Sequence, residues 1–382
     1  MSEVSEESIK EVLKGVIDPT YNKNLVELDH IKEASISDNS LHLKIVMNTY
    51  QSFQSEIKQA IQEKLSQFKF KDISIEFQVE ITKTTPKSDF GPPGMKAQDM
   101  MPKVKQIIGV ASNKGGVGKS TVSANIACAL KQLGATVAIL DLDLYGPNIP
   151  NMFGVSTQRA RYEQKGINPE DGLIQVIEKY DMPLMSVGFI LPTDDTAVVI
   201  RAPLANQLIN EFMTEVDWPE VDYLVVDLPP GTGDIQLTMA QQLPNANIVF
   251  VTTPQTVALA DVYKGIKMFQ EPELNIPVIG IIENMSYFIG DDGKKYEIFG
   301  QGGGKKASED FNINFFGQIP LVQKIREQGD SGTPIVLEHP DHPVSKEYIS
   351  ITEKIALEVA RKTFEINSKR PKDFVFEPID LM

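Results

Sequence analysis

The sequence predicts an α/β protein, a doubly wound and mostly parallel sheet preceded by a small α+β domain. Three observations carry that expectation. From Gln106 onward, short and near-continuous apolar runs alternate with amphipathic helical patterns, as strands buried on both faces of a parallel sheet do. Before them, strands alternate apolar and polar residues, the mark of a sheet with one wet face. Between the two lies KTTPKSDFGPPGMKAQDMMPK, with three Gly/Pro clusters and no periodicity, which reads as a linker. The expected organisation is a small domain over residues 1–82, a linker over 83–103, a large domain over 104–366 and a C-terminal tail over 367–382.

The small domain reads helix, strand, strand, helix, strand. Ile9, Val12, Leu13 and Val16 share one helical face, and Phe53, Ile57, Ala60, Ile61 and Leu65 share another. Leu41, Leu43, Ile45 and Met47 alternate with polar neighbours, as do Ile73, Ile75, Phe77, Val79 and Ile81. In the large domain the run is IIGVAS and a helix to Leu133, then TVAILD, then MSVGF and a helix from Pro203 to Val216. YLVVDL, NIVFVTT with a helix to Gln270, and VIGIIENMS follow. A last helix from Ser345 to Phe364 is expected to lay Ile349, Ile351, Ile355, Ala356 and Val359 on the sheet.

Of 382 residues, 41% are hydrophobic and 23% charged, an ordinary globular mixture that excludes a disordered or collagenous chain. Lys and Arg number 37 against 52 Asp and Glu, leaving −15. That balance argues against a broad phosphate-backbone surface, so no nucleic-acid partner is expected. The single cysteine, Cys128, forbids an intramolecular disulfide and a cysteine-only metal site within one chain. MSEVSEESIK carries no secretory pattern, and no uncharged apolar run is long enough to span a bilayer. A soluble, cytoplasmic protein without a membrane partner is the expectation.

Chemistry concentrates in Asn113-Lys114-Gly115-Gly116-Val117-Gly118-Lys119-Ser120-Thr121, which follows IIGVAS and opens the helix TVSANIACALKQL. Glycines there let the chain wrap a phosphate, and successive N–H groups with the helix N-terminus hold its charge. Lys119 reaches the β- and γ-phosphates and the Ser120 hydroxyl suits Mg²⁺, so residues 113–121 are read as an ATP site. Asn113 stands where the first glycine of G-x-x-x-x-G-K-[ST] would be, and Lys114 is an additional lysine. VAILDLDLYGP ends a strand in Asp141 and Asp143, at the strand end where open α/β sheets bind ligands. In DYLVVDLPPGTGD, Asp227 fits the carboxylate that holds Mg²⁺. The PPGTGD loop suits a segment that changes path with the γ-phosphate.

KGGVGKST with its extra Lys114 resembles the deviant Walker A class, the MinD/ParA/Mrp/ApbC/nitrogenase-iron-protein group of dimerising ATPases. DLDLYGPNIP, DDTAVVIRAP, DYLVVDLPPGTGD, IIENMSYF, EIFGQGGG and GQIPLVQKIREQGDSGTP, between Gln106 and Val336, resemble the Mrp/ApbC family of iron-sulfur cluster carrier ATPases. VIDPTYNKNLVELDHIKEASI resembles the start of the small SufT/PaaD-type domain. The resemblance implies a P-loop ATPase domain that acts as a homodimer, with Lys114 reaching the partner's nucleotide. It implies that Asp143 positions the attacking water, that Asp141 supports the metal shell, and that Asn284 and residues 320–322 contact adenine. ATP and Mg²⁺ are the implied cofactors, an iron-sulfur cluster the implied cargo, and apo iron-sulfur proteins or assembly factors the implied partners.

One departure stands out. Where the family has C-x-x-C between MSYF and EIFG, residues 289–296 read IGDDGKKY, a D-D-G hairpin turn without either thiolate. Cys128, among Ala124, Ala127 and Ala129, reads as a buried filler. His30 and His42 belong to the small domain, and EHPDH, with His339, Asp341 and His342, reads as a solvated turn. Two functions therefore remain open, a cluster carrier or assembly ATPase and a nucleotide-gated adaptor without a cluster. A MinD/ParA-type positioning ATPase ranks last, because the tail KRPKDFVFEPIDLM lacks the length and period of a membrane-binding helix.

Overall fold

The computed structural model describes residues 4–50, 53–84, 101–144, 146–164, 172–190, 202–231, 243, 245–272 and 276–369. Most of the linker, residues 194–201 of DDTAVVIRAP, Tyr145, Thr232 to Asp234 and the tail from residue 370 lie outside them. The chain divides into two compact units, Met1–Thr85 with Ala356–Met382, and Pro86–Ile355.

In the first unit, α1 (Glu6–Leu13) is capped reciprocally, the Ser5 hydroxyl accepting from Ser8 N–H and the Ser8 hydroxyl from Ser5 N–H. β1 (Ile17–Asp18) and β2 (Lys23–Asn24) form a two-residue antiparallel ladder. β3 (Ile31–Ser37) and β4 (Ser40–Met47) make a hairpin whose turn residues, Asp38 and Asn39, both take positive φ, the backbone that matches strand twist. α2 (Gln54–Leu65) then crosses over, so that β5 (Asp72–Val79) pairs parallel with β4. The predicted order is present, and Ile9, Leu13, Leu43, Ile45, Ile61 and Leu65 are wholly buried in its core.

This unit holds a buried titratable pair. His30 Nδ1 lies 3.5 Å from Asp18 Oδ2, while Asp18 Oδ1 accepts the Thr20 N–H at 2.7 Å. Burial holds the His30 pKa below 6.5, an effect that the Asp18 charge only partly offsets. The unfolded chain thus binds a proton more readily than the folded one, and stability falls as pH drops through 6.5. Amides of β3 and β4 in the full chain are expected to lose protection between about pH 7.5 and about pH 5.5, beyond the intrinsic exchange change, and His30→Gln should flatten that loss. Equal protection at both pH values in the parent protein would contradict it.

The second unit runs β6 (Val104–Ala111), α3 (Lys119–Gln132), β7 (Val137–Asp141), α4 (Ile149–Met152), β8 (Arg161–Gln164), β9 (Gly172–Gln175), β10 (Ile177–Lys179) and β11 (Met182–Ser186). It continues with α5 (Ala202–Thr214), β12 (Val221–Asp227), β13 (Ala246–Thr252), α6 (Thr256–Gln270), β14 (Val278–Glu283), β15 (Phe288–Ile289) and β16 (Lys295–Tyr296). Last come α7 (Gly303–Asp310), β17 (Asn314–Gln318), α8 (Gln323–Ser331), α9 (Ile335–Glu338) and α10 (Pro343–Ser368), whose residues from Ala356 on fall in the first unit.

The main sheet has the order β10-β11-β7-β12-β6-β13-β14-β17. Its pairings are parallel except β10 against β11. The chain leaves central β6 for β7 on one side and later returns to β13 on the other, so a switch point lies at the carboxyl end of β6. Register sets the chemistry there. Asp227, at the end of β12, pairs with Val110 of β6 on one side and with Asp141 of β7 on the other.

Several details differ from the sequence reading. The strand expected over MSVGF runs Met182–Ser186 and gives way to a 3₁₀ turn over Val187–Phe189, because the Ser186 hydroxyl accepts the Gly188 N–H and ends it. β10 and β17 extend the sheet at its edges, where short strands with mixed burial leave little periodic signal. The sequence carries α10 with the large domain to residue 366, whereas the compact units divide that helix at Ala356. Within the first unit, Arg361 Nε donates to the Thr20 carbonyl at 2.6 Å, Thr363 and Thr84 share a hydroxyl hydrogen bond of 2.8 Å, and the Phe364 and Tyr21 rings lie 5.1 Å apart. Among the described residues no helix is long and apolar enough to cross a membrane.

Candidate functional site

Residues 112–118 connect β6 to α3. Gly116 and Gly118 take φ of 80° and 82°, a region that side chains disfavour. At Gly118, which precedes α3, a Cβ would also collide with Asn284 Nδ2. No side chain caps the start of α3, so its first N–H groups are available to an anion.

The charged side chains converge just inside that helix. Lys119 Nζ lies 2.8 Å from Asp227 Oδ1 and 3.5 Å from Asp143 Oδ2, with the lysine almost wholly buried. The Ser120 hydroxyl donates to Asp227 Oδ2 at 2.6 Å, and the Ser123 hydroxyl donates to Asp227 Oδ1 at 2.6 Å. The oxygen pair of Ser120 and Asp227 suits a hard cation such as Mg²⁺, which prefers carboxylate and hydroxyl oxygen. Ser123 was not singled out in the sequence, although it lies one helical turn after Lys119 and Ser120, on the face they share.

Asp141 is placed differently from its neighbours. Its Oδ1 accepts the Asp143 N–H at 3.0 Å, and its Oδ2 accepts the Ile149 N–H and the Ser186 hydroxyl, each at 3.2 Å. Burial, then the Asp227 charge, pushes its pKa up to about 8 against the opposing pull of Lys119. In this arrangement Asp141 shapes the turn that carries Asp143 towards Lys119.

Asn284 bridges two parts of the site. Its backbone N–H donates to the Thr252 carbonyl at 2.7 Å, and its Nδ2 donates to the Val117 carbonyl at 2.8 Å. It borders a cavity of about 730 Å³ that Thr121, Met285, Pro320, Leu321 and Val322 also line. Asn284 and residues 320–322 are thereby brought together beside the loop. Glu283, absent from the sequence reading, is buried and receives the Ser286 hydroxyl, the Gly304 N–H at 2.7 Å and Gln318 Nε2 at 2.8 Å. It ties the Asn284 loop to α7 and β17. Lys114 Nζ rests 3.4 Å from Asp261 Oδ2 on α6 of its own chain, partly exposed.

The segment standing where a cluster motif would be is a hairpin. β15 pairs antiparallel with β16, Gly293 takes φ 72°, and Asp292 accepts the Lys294 N–H at 3.0 Å and the Tyr296 hydroxyl at 2.8 Å. Phe288, Ile289 and Tyr296 are exposed on it. Cys128 is completely buried in α3, and burial pushes its thiol pKa up, which suppresses the thiolate that iron ligation needs. His342 Nδ1 accepts the Val344 N–H at 3.2 Å at the start of α10. Among the described residues no group of three or more His, Cys, Asp or Glu side chains is arranged to hold a metal.

Comparison with known proteins adds an independent line. The family model of the NUBPL iron-transfer P-loop NTPases matches residues 103–356, and that of an iron-sulfur cluster assembly protein matches residues 6–77. An iron-sulfur cluster carrier protein of Synechocystis sp. is 39% identical over 357 residues, 93% of this chain and 98% of that protein. The Escherichia coli K12 protein of the same name is 37% identical over 361 residues, 93% of this chain and 94% of its own length. Among solved structures, a nucleotide-binding protein from Archaeoglobus fulgidus, in complex with ADP and with cobalt, is 33% identical with a TM-score of 0.54, over 65% of this chain and 94% of that one.

Proposed function

The chain belongs to the NUBPL iron-transfer P-loop NTPase family, and from that premise we propose that it is a cytoplasmic, Mg²⁺-dependent ATPase that works as a homodimer and carries iron-sulfur clusters to apoproteins. The observation that carries this reading is the convergence of Lys119, Ser120, Asp143 and Asp227 on the switch point of the sheet.

In this reading the loop N–H groups and Lys119 Nζ bind the β- and γ-phosphates of ATP. Ser120 and Asp227 would hold Mg²⁺, which supplies neutralisation of the phosphate charge. Asp143 orients a water for in-line attack, so that a bond forms from water oxygen to the γ-phosphorus while the bond to the β–γ bridging oxygen breaks, yielding ADP and phosphate. Asn284 and residues 320–322 take the adenine. Lys114 exchanges its partly exposed contact with Asp261 for the partner's nucleotide.

The cluster is cargo, and the 288–296 hairpin offers no thiolate for it. That observation also favours a second reading, an adaptor that kept the nucleotide switch and binds no cluster. Anaerobic reconstitution with iron and sulfide separates the two. A carrier is expected to take up a labile, substoichiometric cluster that passes to an apoprotein and is unchanged by substitutions at residues 288–296. No iron and sulfide retained by either the parent protein or Cys128→Ser would favour the adaptor. A stable stoichiometric cluster lost in Cys128→Ser would assign that cysteine as ligand, against its burial.

A further inference from the structure

Asn113 occupies the place where this kind of loop ordinarily carries glycine, and its side chain turns onto α6. Asn113 Nδ2 donates to the backbone carbonyl of Asp261. In the middle of a helix that carbonyl is already directed at the N–H four residues on, which is Gly265. Gly265 has no side chain, and a Cβ there would fall inside contact distance of Asn113 Oδ1, Nδ2 and Cγ. A glycine is disfavoured within a helix, yet here it opens the flank of one carbonyl to a side chain more than 140 positions earlier. The next loop residue, Lys114, meets the carboxylate of the same Asp261 at 3.4 Å.

We propose that Asn113 is a positioning residue for nucleotide binding: its amide anchors the phosphate loop to α6 in a notch that only glycine at position 265 leaves open. The inference rests on residues 113–121 binding ATP. Because the loop N–H groups bind phosphate only when their path is held, the anchor should act on affinity through the loop rather than through contact with ATP. Lys114 benefits as well, since the same notch brings it beside Asp261.

Affinity for Mg²⁺-ATP measured by titration calorimetry on the full chain, with steady-state KM and kcat, tests this. Gly265→Ala is expected to weaken affinity about tenfold, and Asn113→Asp, which sets a carboxylate against the Asp261 carbonyl, by a similar factor. The double variant Asn113→Gly/Gly265→Ala should bind no more weakly than Asn113→Gly alone, since the three atoms that lie nearest the new methyl are then gone. Additive losses in the double variant, or unchanged affinity in Gly265→Ala, would overturn the anchor. So would a lowered thermal midpoint with KM and affinity unmoved, the signature of a merely structural contact. If the parent protein itself binds no nucleotide, the ATP assignment of the loop fails, and the anchor with it. Binding by the parent with an unaffected Gly265→Ala removes the anchor alone.

Discussion

Lys119→Ala is expected to abolish ATP binding and also to destabilise the large unit. The first effect follows from removing the cation that the proposed ATP site directs at the phosphates. The second is visible only in three dimensions. Lys119 sits 2.8 Å from the fully buried Asp227 and 3.5 Å from Asp143, and it already opposes the upward shift of Asp141. Taking it away leaves carboxylates facing one another in a dry site, and breaking a buried pair from one side costs about 3–5 kcal/mol. Protonation of Asp141, whose carboxyl pKa burial and the Asp227 charge already raise, relieves part of that cost. Losing Lys119 raises the Asp141 pKa further in the folded state, so the fold binds more protons than the unfolded chain, and stability declines as pH rises. Thermal unfolding between about pH 5 and about pH 8 should show the gap to the parent protein widening with pH, while calorimetry shows no binding by the folded variant. Parent-like ATP affinity in folded Lys119→Ala would remove the loop from the function.

Lys114→Ala is expected to lower kcat by about 10³-fold or more, the scale of a charge supplied across an interface in phosphoryl transfer, with ATP affinity changed only slightly. Within one chain, Lys114 contacts Asp261 while about a third exposed, and exposed ion pairs contribute at most about 1 kcal/mol. It can leave that contact cheaply. Complementation distinguishes a trans role from a cis one. When Lys114→Ala is mixed with Lys119→Ala, the subunit that retains Lys119 receives Lys114 from its partner, and one complete site re-forms. Restored turnover in the mixture is the expected result. Full activity of Lys114→Ala by itself, or no recovery on mixing, would refute the trans role.

The phosphate loop was legible because its demands are local. Gly118 must take a positive φ, Lys119 and Ser120 must open a helix, and an apolar strand must precede them, all within one short stretch of chain. The alternation of β3, β4 and β5 and the helical faces of α1 and α2 were legible for the same reason, since burial of one face writes a period into neighbouring positions. Less of the site's outer support was readable. Glu283 lies at a strand end where any residue fits the pattern, and its role comes from Gly304 and Gln318, which arrive from α7 and β17. β10 and β17 escaped because edge strands so short carry no period.

By itself, then, the sequence determined the glycine-rich loop between a strand and a helix, the two strands that end in carboxylates, and that residues 288–296 lack the thiolates of a cluster motif. Each is a matter of residue type at fixed spacing along one segment. The tertiary structure decided how those carboxylates divide their work. β12 lies between β6 and β7, which sets Asp227 against Lys119, Ser120 and Ser123, whereas Asp141 spends its oxygens on the turn that presents Asp143. It also decided that Asn113 meets Gly265 and that the end of α10 joins the first unit through Arg361, Thr363 and Phe364. Such contacts join positions far apart in sequence, and complementarity of shape and hydrogen bonding between them leaves no periodic trace in either segment.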